Sequence, residues 1–110
     1  VSRTDAELVS DALEHLEILR QHLHGPERDQ LLVGDAVNMR LSAAIEAISH
    51  TSREFRDAYF GDDWHLMWAT RNRISHGYAF VDQALISLTV EKRLPQFEDQ
   101  LRAAQAKLRT

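Results

Sequence analysis

The chain has 110 residues, 44% hydrophobic and 27% charged, with a formal net charge of −4 and no cysteine. That length sets the expectation of one domain, residues 1–110, with one modest core. The composition excludes disulfides and thiolate zinc sites, and the acidic balance argues against a surface that coats a long nucleic-acid backbone. No stretch approaches the roughly 20 apolar residues needed to span a bilayer, so no membrane partner is expected. The opening "VSRTDAELVS" has no apolar run of a secretory leader, and a cytoplasmic location is expected.

Taken in chain order, Leu8, Ala12, Leu16, Leu19 and Leu23 recur every three or four residues, the pattern of an amphipathic helix over about residues 4–24. Thr4 with Glu7 three positions on reads as a capping box. Gly25-Pro26 stops the helix, glycine past its end and proline unable to continue it. A second helix is expected from Glu27–Gln30 to about Ser52, with Val33, Val37, Leu41, Ala44 and Ile48 on its buried stripe. Gly34 lowers its helicity without forbidding it, so a break there is one alternative.

"TSREFRDAYF" reads as a short separate helix capped by Thr51 or Ser52. "GDD" at 61–63 is a turn, with Asp62 or Asp63 as the next N-cap. The following helix carries Trp64, Met67, Trp68, Arg71 and Ile74, and is expected to end near His76 because Gly77 suits the C′ position. Asp82 is an N-cap candidate for the last segment, which runs to about Leu108. Pro95 interrupts that segment with a kink or a new first turn, and Leu94, Phe97, Leu101, Ala104 and Leu108 continue its apolar face. The expected fold is all-α, an up-and-down antiparallel bundle of four to six helices, which by itself assigns no function.

The chemistry concentrates in "RNRISHGY", residues 71–78. Arg71 is a permanent planar cation suited to gripping phosphate oxygens, and the His76 imidazole exchanges protons near neutral pH. On a continuous helix the two lie about 140° apart. A helix ending at His76 would release the histidine to turn back toward Arg71. Together they could cleave RNA without metal, one group exchanging a proton with the ribose 2′-OH or the leaving oxygen, the other offsetting charge on phosphorus. Asn72 and Ser75 are polar neighbours able to orient groups. The bare spacing also fits an ordinary helix end, where a histidine cation complements the helix dipole and Tyr78 closes the core.

The context goes further. "WHLMWATRNRISHGYAFVD" resembles the HepT-type branch of the HEPN superfamily, in which a tryptophan seven residues before the arginine leads into R-N-R-x-x-H-G-Y and a later aspartate. Trp64, Arg71, Asn72, Arg73, His76, Gly77, Tyr78 and Asp82 stand in that register. "DAVNMRLSAAIEAI" is similar to the family's second helix at Asp35, Ala36, Val37, Glu46 and Ala47, and "RLPQFEDQL" to its L-P-x-L/F ending. The second helix departs from the family at Met39–Ser42 and at Ile45, and Asp63 stands where a proline is common. Asp35 and Glu46 are therefore either groups supporting the site or surface charges.

The resemblance implies a HEPN-like bundle that forms a homodimer or a higher assembly, with two R-x4-H motifs meeting at a cleft between protomers. It implies a metal-independent, cofactor-free endoribonuclease, the toxin of a type VII-like toxin–antitoxin system, with Arg71 and His76 catalytic and Arg73 in support. The substrate would be mRNA or tRNA. The partner would be a minimal nucleotidyltransferase antitoxin that silences the toxin by transferring AMP to Tyr78, adding bulk and negative charge beside the cleft. Two copies of Arg71 and Arg73 would make a positive pocket on an acidic protein, one that suits single-stranded or looped RNA. The competing expectation is a non-catalytic helical subunit that presents substrate to such a nucleotidyltransferase.

Other features favour structural roles. His22 and His24 point about 200° apart on a helix, which does not make a metal site. Trp64 and Trp68, one turn apart, fit core or dimer packing better than base stacking. His50 has no partner legible in the sequence.

Overall fold

The computed structural model describes residues 3–77 and 83–109. Six helices follow in order: α1 Asp5–His24, α2 Gln30–Ser49, α3 Arg53–Tyr59, α4 Asp63–Gly77, α5 Gln83–Lys92 and α6 Leu94–Leu108. Among the described residues there is no strand. α1 lies against both α2 and α6, α2 also carries α4, and α5 packs on α6.

The helix starts follow the sequence signals. The Thr4 hydroxyl accepts from the Glu7 backbone N–H at 3.1 Å, and Glu7 Oε1 accepts from the Thr4 N–H at 3.2 Å, closing the capping box. Asp29 Oδ1 accepts from the N–H groups of Leu31 and Leu32 and opens α2. Ser52 caps α3 through Phe55 N–H, and its own N–H and hydroxyl both donate to Asp5, tying the start of α3 to the start of α1.

The ends are more instructive. Gly25 follows α1 in an extended conformation, φ −79° and ψ −178°, so a left-handed cap is not the reason for glycine there. A Cβ at that position would sit 2.8 Å from the Gln21 carbonyl oxygen, and this close approach is the reason. Gly61 does take a left-handed conformation, φ 53°, in the turn between α3 and α4. α2 runs unbroken through Gly34, because Val33 and Val37 on either side pack against the core. It stops at Ser49, where Arg56 Nη1 donates to the carbonyls of Ser49 and Thr51. Pro95 begins a new helix rather than bending one: it lies in the first turn of α6, after a single turn residue, Arg93.

The core joins Leu16 and Leu19 of α1, Ile45 and Ile48 of α2, and Phe97 and Leu101 of α6, with Phe55, Phe60 and Ile74 closing its end. Leu23 and Leu108, expected on buried faces, are 39% and 40% exposed. Each lies in the last turn of its helix. One charged group enters the core. Glu98 on α6 is buried and receives two donors from Arg20 of α1, the Nε contact at 3.2 Å and a second through Nη2. The hydrogen bond to Glu98 holds the Arg20 guanidinium above its ordinary pKa.

Candidate active site

α4 positions the arginine of the sequence motif. Trp64, Trp68 and Arg71 are spaced four and three residues apart, which puts them on one face. Trp64 and Trp68 stack with centroids 5.8 Å apart and an interplanar angle of 25°. The Arg71 guanidinium lies 4.8 Å above the Trp68 ring, and Arg56 of α3 lies 5.5 Å from the Trp64 ring. Two arginines thus bracket two tryptophans, each cation on the negative face of a ring. Both tryptophans pack against the core, so the Arg71 guanidinium rests on a ring anchored in the interior.

α2 supplies the facing wall. Glu46 Oε2 lies 2.9 Å from Arg71 Nη2, and Asn72 Oδ1 accepts from Arg71 Nη1 at 3.2 Å. The Glu46 contact is a charge pair rather than an aligned hydrogen bond, since Glu46 Oε2 has no hydrogen-bond partner among the described residues. The other Glu46 oxygen, Oε1, is 3.5 Å from His50 Nε2 one turn further on, which gives His50 a partner. Between the helices opens a cleft of about 550 Å³, lined by Asp35, Asn38, Ser42, Glu46, Arg71 and Ser75 among others. Asn38 Oδ1 and Arg71 Nε are buried on its walls without a hydrogen-bond partner among the described residues. Native structures leave few such atoms, and each left unpaired in a dry interior costs about 1–3 kcal/mol.

The structure brings together some motif residues and separates others. Arg71 and Ser75 line the cleft, and Asn72 accepts a hydrogen bond from Arg71. Arg73 is about 200° round the helix from Arg71 and points to solvent. α4 runs to Gly77, within a residue of the expected end, and His76 lies inside its last turn. His76 therefore keeps its helical setting, about 140° from Arg71, and its side chain is exposed. Among the described residues, the partners of Arg71 are Glu46, Asn72 and Trp68. Tyr78 and the expected cap Asp82 lie outside the described residues.

Sequence reasoning left Glu46 open and missed Asn38. A signal was present: Asp35, Asn38, Ser42 and Glu46 recur at intervals of three and four, a polar stripe along one face of α2. Among the described residues, no three His, Asp or Glu side chains gather as a metal-ligand set. No described helix is long and apolar enough to cross a membrane.

The structure is thus a helical bundle with an arginine, a side chain able to grip phosphate oxygens, held on the wall of an open cleft. The chain matches the family model described as "Ribonuclease HepT-like" over residues 12–104, and it belongs to that family. No curated protein and no solved structure matches it.

Proposed function

We propose that this protein is a metal-independent endoribonuclease acting as the toxin of a toxin–antitoxin pair. Membership of a ribonuclease family over most of the chain carries the reading. The Arg71 guanidinium, held by Trp68 and Glu46 beside an open cleft, supports it from the chemistry. The substrate is RNA, mRNA or tRNA, in a single-stranded or looped segment that can be splayed into a cleft.

In this reading the ribose 2′-oxygen attacks the adjacent phosphorus, the 2′-O–P bond forms and the P–O5′ bond breaks. A base takes the 2′-OH proton and an acid returns one to O5′, leaving a 2′,3′-cyclic phosphate and a 5′-hydroxyl. Arg71 offsets the charge that builds on the phosphoryl oxygens. His76 supplies or removes a proton. On one helix they lie too far round from each other to share a phosphate, which favours a site completed across two protomers, the Arg71 of one meeting the His76 of the other. The cognate nucleotidyltransferase silences the enzyme by transferring AMP to Tyr78, with release of pyrophosphate.

The test uses purified protein with labelled single-stranded RNA and tRNA, with and without chelator. Cleavage to cyclic-phosphate ends that survives chelation, and is lost in Arg71→Ala and His76→Ala, is expected. If wild type cleaves no better than either variant, the catalytic claim fails. In that case partner binding that survives loss of His76 would identify a non-catalytic subunit. Mass spectrometry of Tyr78 after co-expression with the nucleotidyltransferase reads the regulatory step, and an unmodified tyrosine would refute it.

A further inference from the structure

We infer that Glu46 is a positioning residue for Arg71, one that speeds cleavage while weakening RNA binding; the inference rests on the ribonuclease reading above. Arg71 is restrained from three directions: Trp68 beneath its plane, Asn72 on Nη1 and Glu46 on Nη2. Two of these restraints come from α4 itself and move with it. Glu46 stands on α2, so among the described residues it alone ties the guanidinium to the opposite wall of the cleft. Its other oxygen is steadied by His50, one turn further along α2.

Binding cannot be the purpose of this carboxylate. Among the described residues, Asp35 and Glu46 place two negative charges on a cleft lined by one arginine, and both repel an incoming phosphodiester. A residue that opposes substrate binding yet contacts the phosphate-gripping group helps only by geometry. A guanidinium already aimed at the place where charge develops needs no reorganisation during the reaction. A mere staple between α2 and α4 makes a different forecast, since its loss would loosen the fold and weaken binding and cleavage together.

The experiment is Glu46→Gln in the full chain, which keeps the shape and removes the charge. Turnover is read on labelled single-stranded RNA. Affinity is read on a 2′-O-methyl oligonucleotide of the same sequence, which lacks the attacking hydroxyl. The expected result is a kcat lowered about tenfold with binding tightened about threefold. A variant that cleaves like wild type, or one in which cleavage and binding weaken together, overturns the inference. A third readout stands apart from activity: the ¹⁵Nε–¹Hε resonance of Arg71, assigned through its absence in Arg71→Lys. If wild type cleaves no RNA, the ribonuclease reading fails and the claim about cleavage with it, and the resonance decides whether Glu46 positions Arg71. A signal displaced or broadened in Glu46→Gln upholds positioning, and an unchanged one overturns it.

Discussion

The guanidinium of Arg71 sits 4.8 Å above the ring of Trp68, three residues before it on α4. This contact gives the catalytic candidate a rigid seat. Trp68 is itself stacked on Trp64, and Trp64 packs on Phe60 of the core, so the seat is continuous with the hydrophobic interior.

Replacing Trp68 by leucine keeps an apolar side chain but removes the aromatic face. The cation–π contact contributes about 0.5–2 kcal/mol. RNA cleavage is expected to fall about tenfold, in line with a displaced guanidinium. Trp68→Phe, which keeps a weaker face, should recover part of it. Comparison of kcat/KM for the three proteins checks this.

Arg71→Lys preserves the charge and loses the planar fork. A lysine cannot meet Asn72 and Glu46 at once as Arg71 does through Nη1 and Nη2. The variant should fold normally by circular dichroism and cleave little better than Arg71→Ala. Cleavage close to wild type would show that a point charge suffices.

Arg20→Ala leaves Glu98 buried without its partner. Removing one member of a fully buried pair costs about 3–5 kcal/mol. The Arg20 side chain is 37% exposed, so water screens the pair and about 1–3 kcal/mol is expected here. The double variant Arg20→Met, Glu98→Leu should lose less than Arg20→Ala alone, because no charge is stranded. Urea denaturation of the three proteins measures both differences.

The capping box of α1 makes stability depend on pH. Hydrogen bonds from the backbone and side chain of Thr4 hold the Glu7 carboxyl below its ordinary value of 4.5. A carboxyl with a depressed folded-state pKa stabilises fully above its unfolded value, and that contribution disappears as pH falls through the folded value. Glu7→Gln should therefore be less stable than wild type at neutral pH, and the two should converge in acid below 4.5. Urea midpoints recorded between neutral and acid pH test the sign.

The sequence by itself determined the helices and where most of them begin. Thr4 and Ser52 cap through their own side chains, and these are contacts between residues three apart. The spacing of Leu8 to Leu19 named the buried face of α1 for the same reason, since a helix repeats within a few residues. The R-x4-H motif and its flanks also carried the family, because a run of residue types is a local property. The site was legible only in part. That Glu46 faces Arg71, and that Asn38 turns a polar atom into the wall of the cleft, depend on how α2 lies on α4. Twenty-five residues separate Glu46 from Arg71, and no local rule couples them. The tertiary packing decided that pairing, and with it which face of α4 looks into the cleft. It also showed that the helix continues through His76, so the two ends of the motif point apart within one chain.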